Sequence, residues 1–364
     1  LKSWFFPVKT SFTQSYLCRS VANMLLMHTS KSSTQISCVQ ASAKNASARR
    51  ICMNETKRLT PLHGIGVFIF EMILFVLVAP PIQSKLGMAG VAITELMLLA
   101  IGVGATLLFK QDLKEVFPVK MPTLRDVAGT MFIWGGAFLT SMVGTLVVAV
   151  IDPAGMNEVS EGLNGVFTSV TFWISLIVVS IMPAICEEAL HRGFILHTFK
   201  SVKREWVIVL CMGIIFGVFH MDAYRFFATA VLGAGLTYVM LKTKNFLMPM
   251  LYHAFNNLLP IVLSFSLMAA VEVPDGEILD AVEDVAGVMT RGMALLSLGS
   301  YLIIGMAAPF LFLIGSKLLK PKEEKLSNRA ILGVALCSGA MLVLGFVIMG
   351  VAIVLYPELV NLTV

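Results

Sequence analysis

Nine apolar runs, each near the 20 residues that span a bilayer, divide most of this 364-residue chain: 64–82, 87–109, 127–151, 166–199, 205–221, 223–241, 246–270, 292–316 and 331–356. Within each run the apolar residues are continuous rather than alternating. In hydrocarbon every backbone N–H and C=O needs a partner within the protein, which leaves helices or closed barrels, and unbroken runs favour helices. The expected fold is therefore all-α, a polytopic membrane helical bundle of about nine transmembrane helices in contact with membrane lipids. With 57% hydrophobic and 13% charged residues, an ordinary soluble domain is excluded.

The formal net charge of +5 does not imply a nucleic-acid partner. Residues 1–58 carry nine Lys/Arg against one Glu, and the rest carries eighteen against twenty-one. The first 58 residues, with "SKSSTQISCVQASAKNASARR", are Ser/Thr-rich and lack a long apolar run, so they belong to no packed core. They read either as a disordered leader with transit-peptide composition or as sequence upstream of a start at Met53. Residues 59–364 form one membrane domain, without internal repeats. The six cysteines show no CxxC spacing, so neither a disulfide framework nor a cysteine zinc site is indicated.

Basic residues fall in every second connection: Lys57/Arg58, Lys110 to Arg125, Lys200 to Arg204, Lys242/Lys244 and Lys317 to Arg329. The intervening segments hold Asp152, Glu158 and Glu161, then Glu272 to Asp284. By the positive-inside tendency the N-terminus is cytoplasmic and the acidic loops lie outside, in a multi-pass protein assigned to the plasma membrane of a bacterium. Residues 278–289 have helical apolar spacing that suits the outer interface. "GIIFG", Gly213 to Gly217, has the spacing that lets another helix approach closely.

Ionisable groups inside membrane helices cost roughly 2.5–3.5 kcal/mol each on insertion scales, so each one calls for a role. Glu71 and Glu95 stand alone in the first two runs. The fourth contains "ICEEALHRGF", residues 185–194. On a helix Glu188 and Arg192, at i,i+4, form an ion pair, and Glu187 points about 100° away, free to act. In "FGVFH" Phe216 covers the flank of His220, and in "HAFNN" His253 and Asn257 share a face. Two chemistries suit a convergence of these groups, both hydrolysing a peptide bond. In one, Glu187 or Glu188 with His220 and His253 ligates Zn2+, which lowers the pKa of its bound water. In the other no metal is required: Glu187 and His220 activate water, and His253 with Asn257 donate to the oxyanion.

Three patterns in order, EExxxR (Glu187, Glu188, Arg192), FxxxH (Phe216, His220) and HxxxN (His253, Asn257), resemble the CPBP family. These are the CAAX proteases and bacteriocin-processing (Abi) proteins, intramembrane endopeptidases related to the Ras-converting type II CAAX prenyl endopeptidases. Residues 233–257 are also similar to that family's approach to its third motif, and the resemblance covers roughly 165–260. It implies catalytic Glu187 with His220 activating water, Glu188 and Arg192 in support, and His253 with Asn257 binding the carbonyl or a metal. His191 stands where the family often has an aromatic residue, a tolerated substitution. The substrate implied is a hydrophobic or lipid-anchored peptide, reached from the cytoplasmic side. Two rival readings are a non-catalytic immunity or scaffolding protein of the same family and a proton-coupled transporter.

One tension follows from counting residues. His253 lies nine residues from Lys244, Glu187 thirteen from Lys200 and His220 sixteen from Arg204, so straight upright helices would not bring them to one depth. Tilt, a break near Pro183 or bending around Gly213 and Gly217 must supply the difference.

Overall fold

The computed structural model describes residues 59–271, 289–320 and 327–361. The leader, the acidic stretch from Glu272 to Asp284, all but the last residue of the interfacial helix expected at 278–289, and residues 321–326 lie outside the described residues. Ten helices organise the rest: α1 Pro61–Leu86, α2 Met88–Leu108, α3 Leu124–Ile151, α4 Pro153–Thr168, α5 Phe172–Ser201, α6 Glu205–Phe219, α7 Phe226–Thr243, α8 Leu247–Val271, α9 Arg291–Leu319 and α10 Asn328–Leu355. Among the described residues there is no strand.

All nine apolar runs are helical, and eight of the helices, all but α4 and α6, are long and apolar enough to cross a membrane. The expectation of nine is corrected at α6. Its 15 residues reach about 22 Å at 1.5 Å per residue, less than the hydrocarbon thickness of about 30 Å. The helix stops at His220 because Met221 takes a left-handed φ of 49°, which a continuing right-handed helix cannot accommodate. A second difference lies at 153–168, where the acidic connection is an amphipathic helix. Asp152 caps it by accepting from the Gly155 N–H, and Pro153 opens it, a favoured Asx-cap and first-turn proline. Met156, Val159, Leu163 and Phe167 face inward, and Glu158 and Glu161 face out.

The connections gather at two ends. At the basic end Lys200 pairs with Glu115, Lys242 with Glu205 at 2.8 Å, and the Asn245 Nδ2 donates to the Lys120 carbonyl at 3.0 Å. Arg125 donates to the carbonyls of Lys317 and Lys320. At the acidic end the Tyr224 hydroxyl donates to Asp152 at 2.6 Å, and Arg291 donates to the carbonyls of Val150 and Ile151.

Small residues let the helices meet closely. A Cβ on Gly213 would lie 2.7 Å from the Ala230 carbonyl of α7, and one on Gly102 would lie 2.9 Å from the Ala189 carbonyl of α5. The "GIIFG" pair thus serves packing rather than bending.

Along α5 the hydrogen-bond register changes twice. Leu176–Ile181 and Ala189–Ile195 are π-helical, and the α-helical stretch Met182–Glu188 lies between them with Pro183 at its start. Short π segments inside α-helices recur at functional sites. Here they bracket the two adjacent glutamates.

Candidate active site

Three helices carry the polar cluster: α5 brings Glu187, Glu188, His191 and Arg192, α6 brings His220, and α8 brings His253 and Asn257. The depth mismatch disappears because the turn before α8 sits deep. The Phe246 N–H donates to the Pro118 carbonyl at 2.7 Å. Phe117 packs on Phe246 with ring centroids 5.5 Å apart, and it lies where a Cβ on Gly193 would fall, 2.3 Å from its ring. So α8 starts level with Gly193 rather than with Lys200, and six residues later His253 is level with the glutamates.

A chain of contacts then crosses the bundle. Arg192 donates to Glu188 Oε1 at 2.8 Å and to the Gly233 carbonyl of α7 at 2.9 Å. The same Glu188 oxygen accepts from His253 Nδ1 at 2.8 Å. On its other side His253 presents Nε2, 3.9 Å from Glu187 Oε2. Glu187 was expected to face a different neighbour from Glu188, yet the two acids address opposite nitrogens of one imidazole. Adjacent positions on one helix achieve this because the imidazole's two nitrogens lie on different edges of the ring. Arg192 and Glu188 are 1% and 0% exposed, and the guanidinium lies 4.3 Å above the Phe216 ring, a cation–π contact that shields it further.

His220 flanks Phe216, as the i,i+4 spacing anticipates, with centroids 4.8 Å apart. Its Nδ1 lies 2.9 Å from the Phe216 carbonyl. A carbonyl only accepts, so Nδ1 carries the hydrogen and Nε2 keeps a lone pair. Phe216 stands between the two imidazoles, 5.7 Å from His253, and no described hydrogen bond or ion pair joins His220 to Glu187. Asn257 is partly engaged: its Nδ2 donates to the Val179 carbonyl at 3.2 Å and its Oδ1 accepts from Asn256 at 3.3 Å. One amide hydrogen remains.

His191 is not incidental. Its Nδ1–H donates to the Glu187 carbonyl at 2.9 Å, and its ring is enclosed by Phe68, Phe216 and Phe219, which ties down the backbone at the acid pair. Nothing in the spacing of "ICEEALHRGF" distinguished this role from a spare imidazole. Asn256 and Tyr252 were also unforeseen; Tyr252 is fully buried and its hydroxyl donates to the Leu232 carbonyl.

The zinc set expected from Glu187, His220 and His253 is not assembled. Among the described residues no three His, Cys, Asp or Glu side chains stand close enough to hold a metal ion. His220 is the member that stands apart, its Nδ1 turned to the Phe216 carbonyl at 2.9 Å.

Beside the cluster lies a cavity of about 440 Å3, lined next to the cluster by His220, His253, Asn256 and Asn257 and elsewhere mostly by apolar side chains of α3, α4, α7 and α8, with Ser141, Ser160, Arg225 and Thr229 among them. Residues 169–259 match the model of the Type II CAAX prenyl endopeptidase Rce1-like family. The chain carries a domain of that family. The Rce1-like domain takes up a quarter of the sequence and contains all seven motif residues, Glu187, Glu188, Arg192, Phe216, His220, His253 and Asn257. No curated protein and no solved structure matches the chain. At the level of the family the Rce1-like domain is a CAAX-type intramembrane protease, set in a multi-pass membrane protein.

Proposed function

We propose that this chain is an intramembrane endopeptidase that cleaves a hydrophobic or lipid-anchored peptide with water activated by Glu187. The observation that carries the reading is the gap between Glu187 Oε2 and His253 Nε2. At 3.9 Å it is too long for a hydrogen bond and short enough for one water to touch both atoms. Glu187 Oε2 has no hydrogen-bond partner within the protein, so the acceptor is free.

The remaining roles rest on the contacts around His253. Arg192 pairs with Glu188, and the same Glu188 oxygen accepts from His253 Nδ1, which fixes the His253 ring between the two acids. His253 Nε2–H and the spare Asn257 amide hydrogen are the donors for the oxygen of the scissile carbonyl. Water attacks the carbonyl carbon as Glu187, with the His220 lone pair as second acceptor, removes its proton. The tetrahedral oxyanion is held by those donors. Its collapse breaks the C–N bond, and the proton on Glu187 passes to the departing amine. Arg192 and His191 position the groups and touch no reacting atom.

The test uses a fluorogenic peptide library with purified full-length protein. Glu187→Gln and His220→Ala should each lower cleavage about 10²–10⁴-fold, the usual contribution of a general base, with thermal unfolding unchanged. Normal turnover in both variants would sink the assignment. Cleavage should persist in a strong chelator. Loss restored by added Zn2+ would favour the metal-dependent form instead.

A further inference from the structure

We infer that the active-site cavity faces the non-cytoplasmic side of the membrane, and that its substrate is a hydrophobic peptide presented from that side. The substrate clause rests on the endopeptidase reading; the orientation does not.

The geometry of the cavity is one-sided. Its wall is built from Thr145 near the end of α3, Leu163 of α4, Arg225 ahead of α7 and Leu263 in the second half of α8, all toward the acidic end. None of its lining residues comes from the connections of the basic end. Between the glutamates and that end the protein is closed. Leu190, Phe194 and Ile195 are fully buried, Met248 and Phe246 nearly so, and Phe194 stacks on Phe109 with centroids 5.5 Å apart. A substrate approaching from the basic end meets packed side chains, whereas one from the acidic end meets an open cavity under α4.

The two ends differ in charge in the way that fixes orientation. The basic end collects Lys110 to Arg125, Lys200 to Arg204, Lys242, Lys244, Lys317, Lys320 and Arg329, tied together by the Glu115, Glu205 and Asn245 contacts. Lys/Arg in short loops within 15–20 residues of a span stay cytoplasmic. On this reading the open end is the outer one, in place of the cytoplasmic approach expected from the sequence.

The lining defines the ligand. Polar groups sit at the base, where a scissile amide would lie, and at the mouth, where Arg225 is held by Asp222 at 2.7 Å. The walls between are mostly apolar, interrupted by the hydroxyls of Ser141, Thr145, Ser160 and Thr229, as in other ligand pockets of 300–1,000 Å3. A short extended stretch of large apolar side chains fits this space, arriving as an exported peptide or as the outer end of a membrane-anchored protein.

Two measurements test this on the full chain. In a full-length background with the six native cysteines changed to alanine, single cysteines are placed at Glu161→Cys, on the exposed face of α4, and Lys114→Cys, at the basic end, and probed with a membrane-impermeant sulfonated maleimide. Intact cells should label the first, and the second should label only after lysis. The reverse pattern overturns the inference. A quenched apolar peptide bearing an impermeant sulfonated dye should be cleaved by sealed right-side-out vesicles at a rate that permeabilisation changes less than twofold. Cleavage confined to inverted vesicles also overturns it. If no peptide is cleaved even in detergent, the endopeptidase reading fails while the labelling still decides the orientation.

Discussion

Replacing Arg192 by Leu tests whether the charge chain across α5, α7 and α8 holds the site together. The substitution removes a guanidinium that is 1% exposed and leaves Glu188, 0% exposed, with only His253 as partner. Breaking a buried pair by deleting one member costs about 3–5 kcal/mol because the other charge stays desolvated. The bond to the Gly233 carbonyl and the contact with Phe216 are lost in the same event and are not separately additive. The expected fall in the folded-to-unfolded ratio is about 10²- to 4 × 10³-fold, at 1.4 kcal/mol for each tenfold change. Reversible unfolding in mixed dodecyl maltoside and SDS micelles, followed by circular dichroism, measures it. The double variant Glu188→Gln/Arg192→Leu removes the stranded charge and keeps an acceptor for His253 Nδ1–H. It should recover about half of the loss. An Arg192→Leu variant within about 1 kcal/mol of the parent, or a double variant no more stable than the single, would refute the reasoning.

Two further outcomes follow from contacts outside the cluster. The Tyr224 hydroxyl, and next the Gly155 N–H, hold the Asp152 carboxyl below the usual carboxylate range. A depressed carboxylate stabilises the fold above its ordinary pKa and loses that contribution as the pH falls. The cost of Tyr224→Phe should thus be full near neutrality and fade below about pH 4, as thermal unfolding across a pH series would show. Gly102→Val should cost about 1–3 kcal/mol by overpacking, because a Cβ there meets α5 backbone, the Ala189 carbonyl and the Leu190 Cα at 3.0 Å, whereas Gly104 has nothing within 4 Å. Unfolding of Gly104→Val, indistinguishable from the parent, is the matching control; equal losses at both positions would reject the close-approach argument.

Much of the architecture was legible in the residues because hydrocarbon leaves the backbone few choices. All nine apolar runs are helices, Glu188 and Arg192 pair at i,i+4, and Phe216 flanks His220. The amphipathic α4 was legible too, since Asp152 and Pro153 are a cap and a first-turn residue, but two exposed acids gave its sequence the look of a loop. What stayed hidden was tertiary. The depth of the turn before α8 depends on Phe246 meeting Pro118, residues 128 apart in sequence. The direction in which the cavity opens depends on which ends of α3, α6 and α8 diverge. Neither property leaves a period or a spacing in the chain. His253 reaching both glutamates, and Asn257 anchoring Val179, were likewise beyond a reading of i,i+4 pairs, because each partner lies on another helix.

The π-helical turns of α5 make the site sensitive to length as well as to composition. A π turn accommodates a residue that an α turn would not, so removing any one residue from 176–181 would let the helix relax to uniform α register. Val179 and Ser180 lie inside that stretch, so the contacts they make with α8, the Val179 carbonyl with Asn257 and the Ser180 hydroxyl with the Ala254 carbonyl at 2.7 Å, would lose their register. A chain with every acid, histidine and asparagine in place but one apolar residue fewer would still insert and still look complete, and its α5 would meet α8 without those two contacts in place.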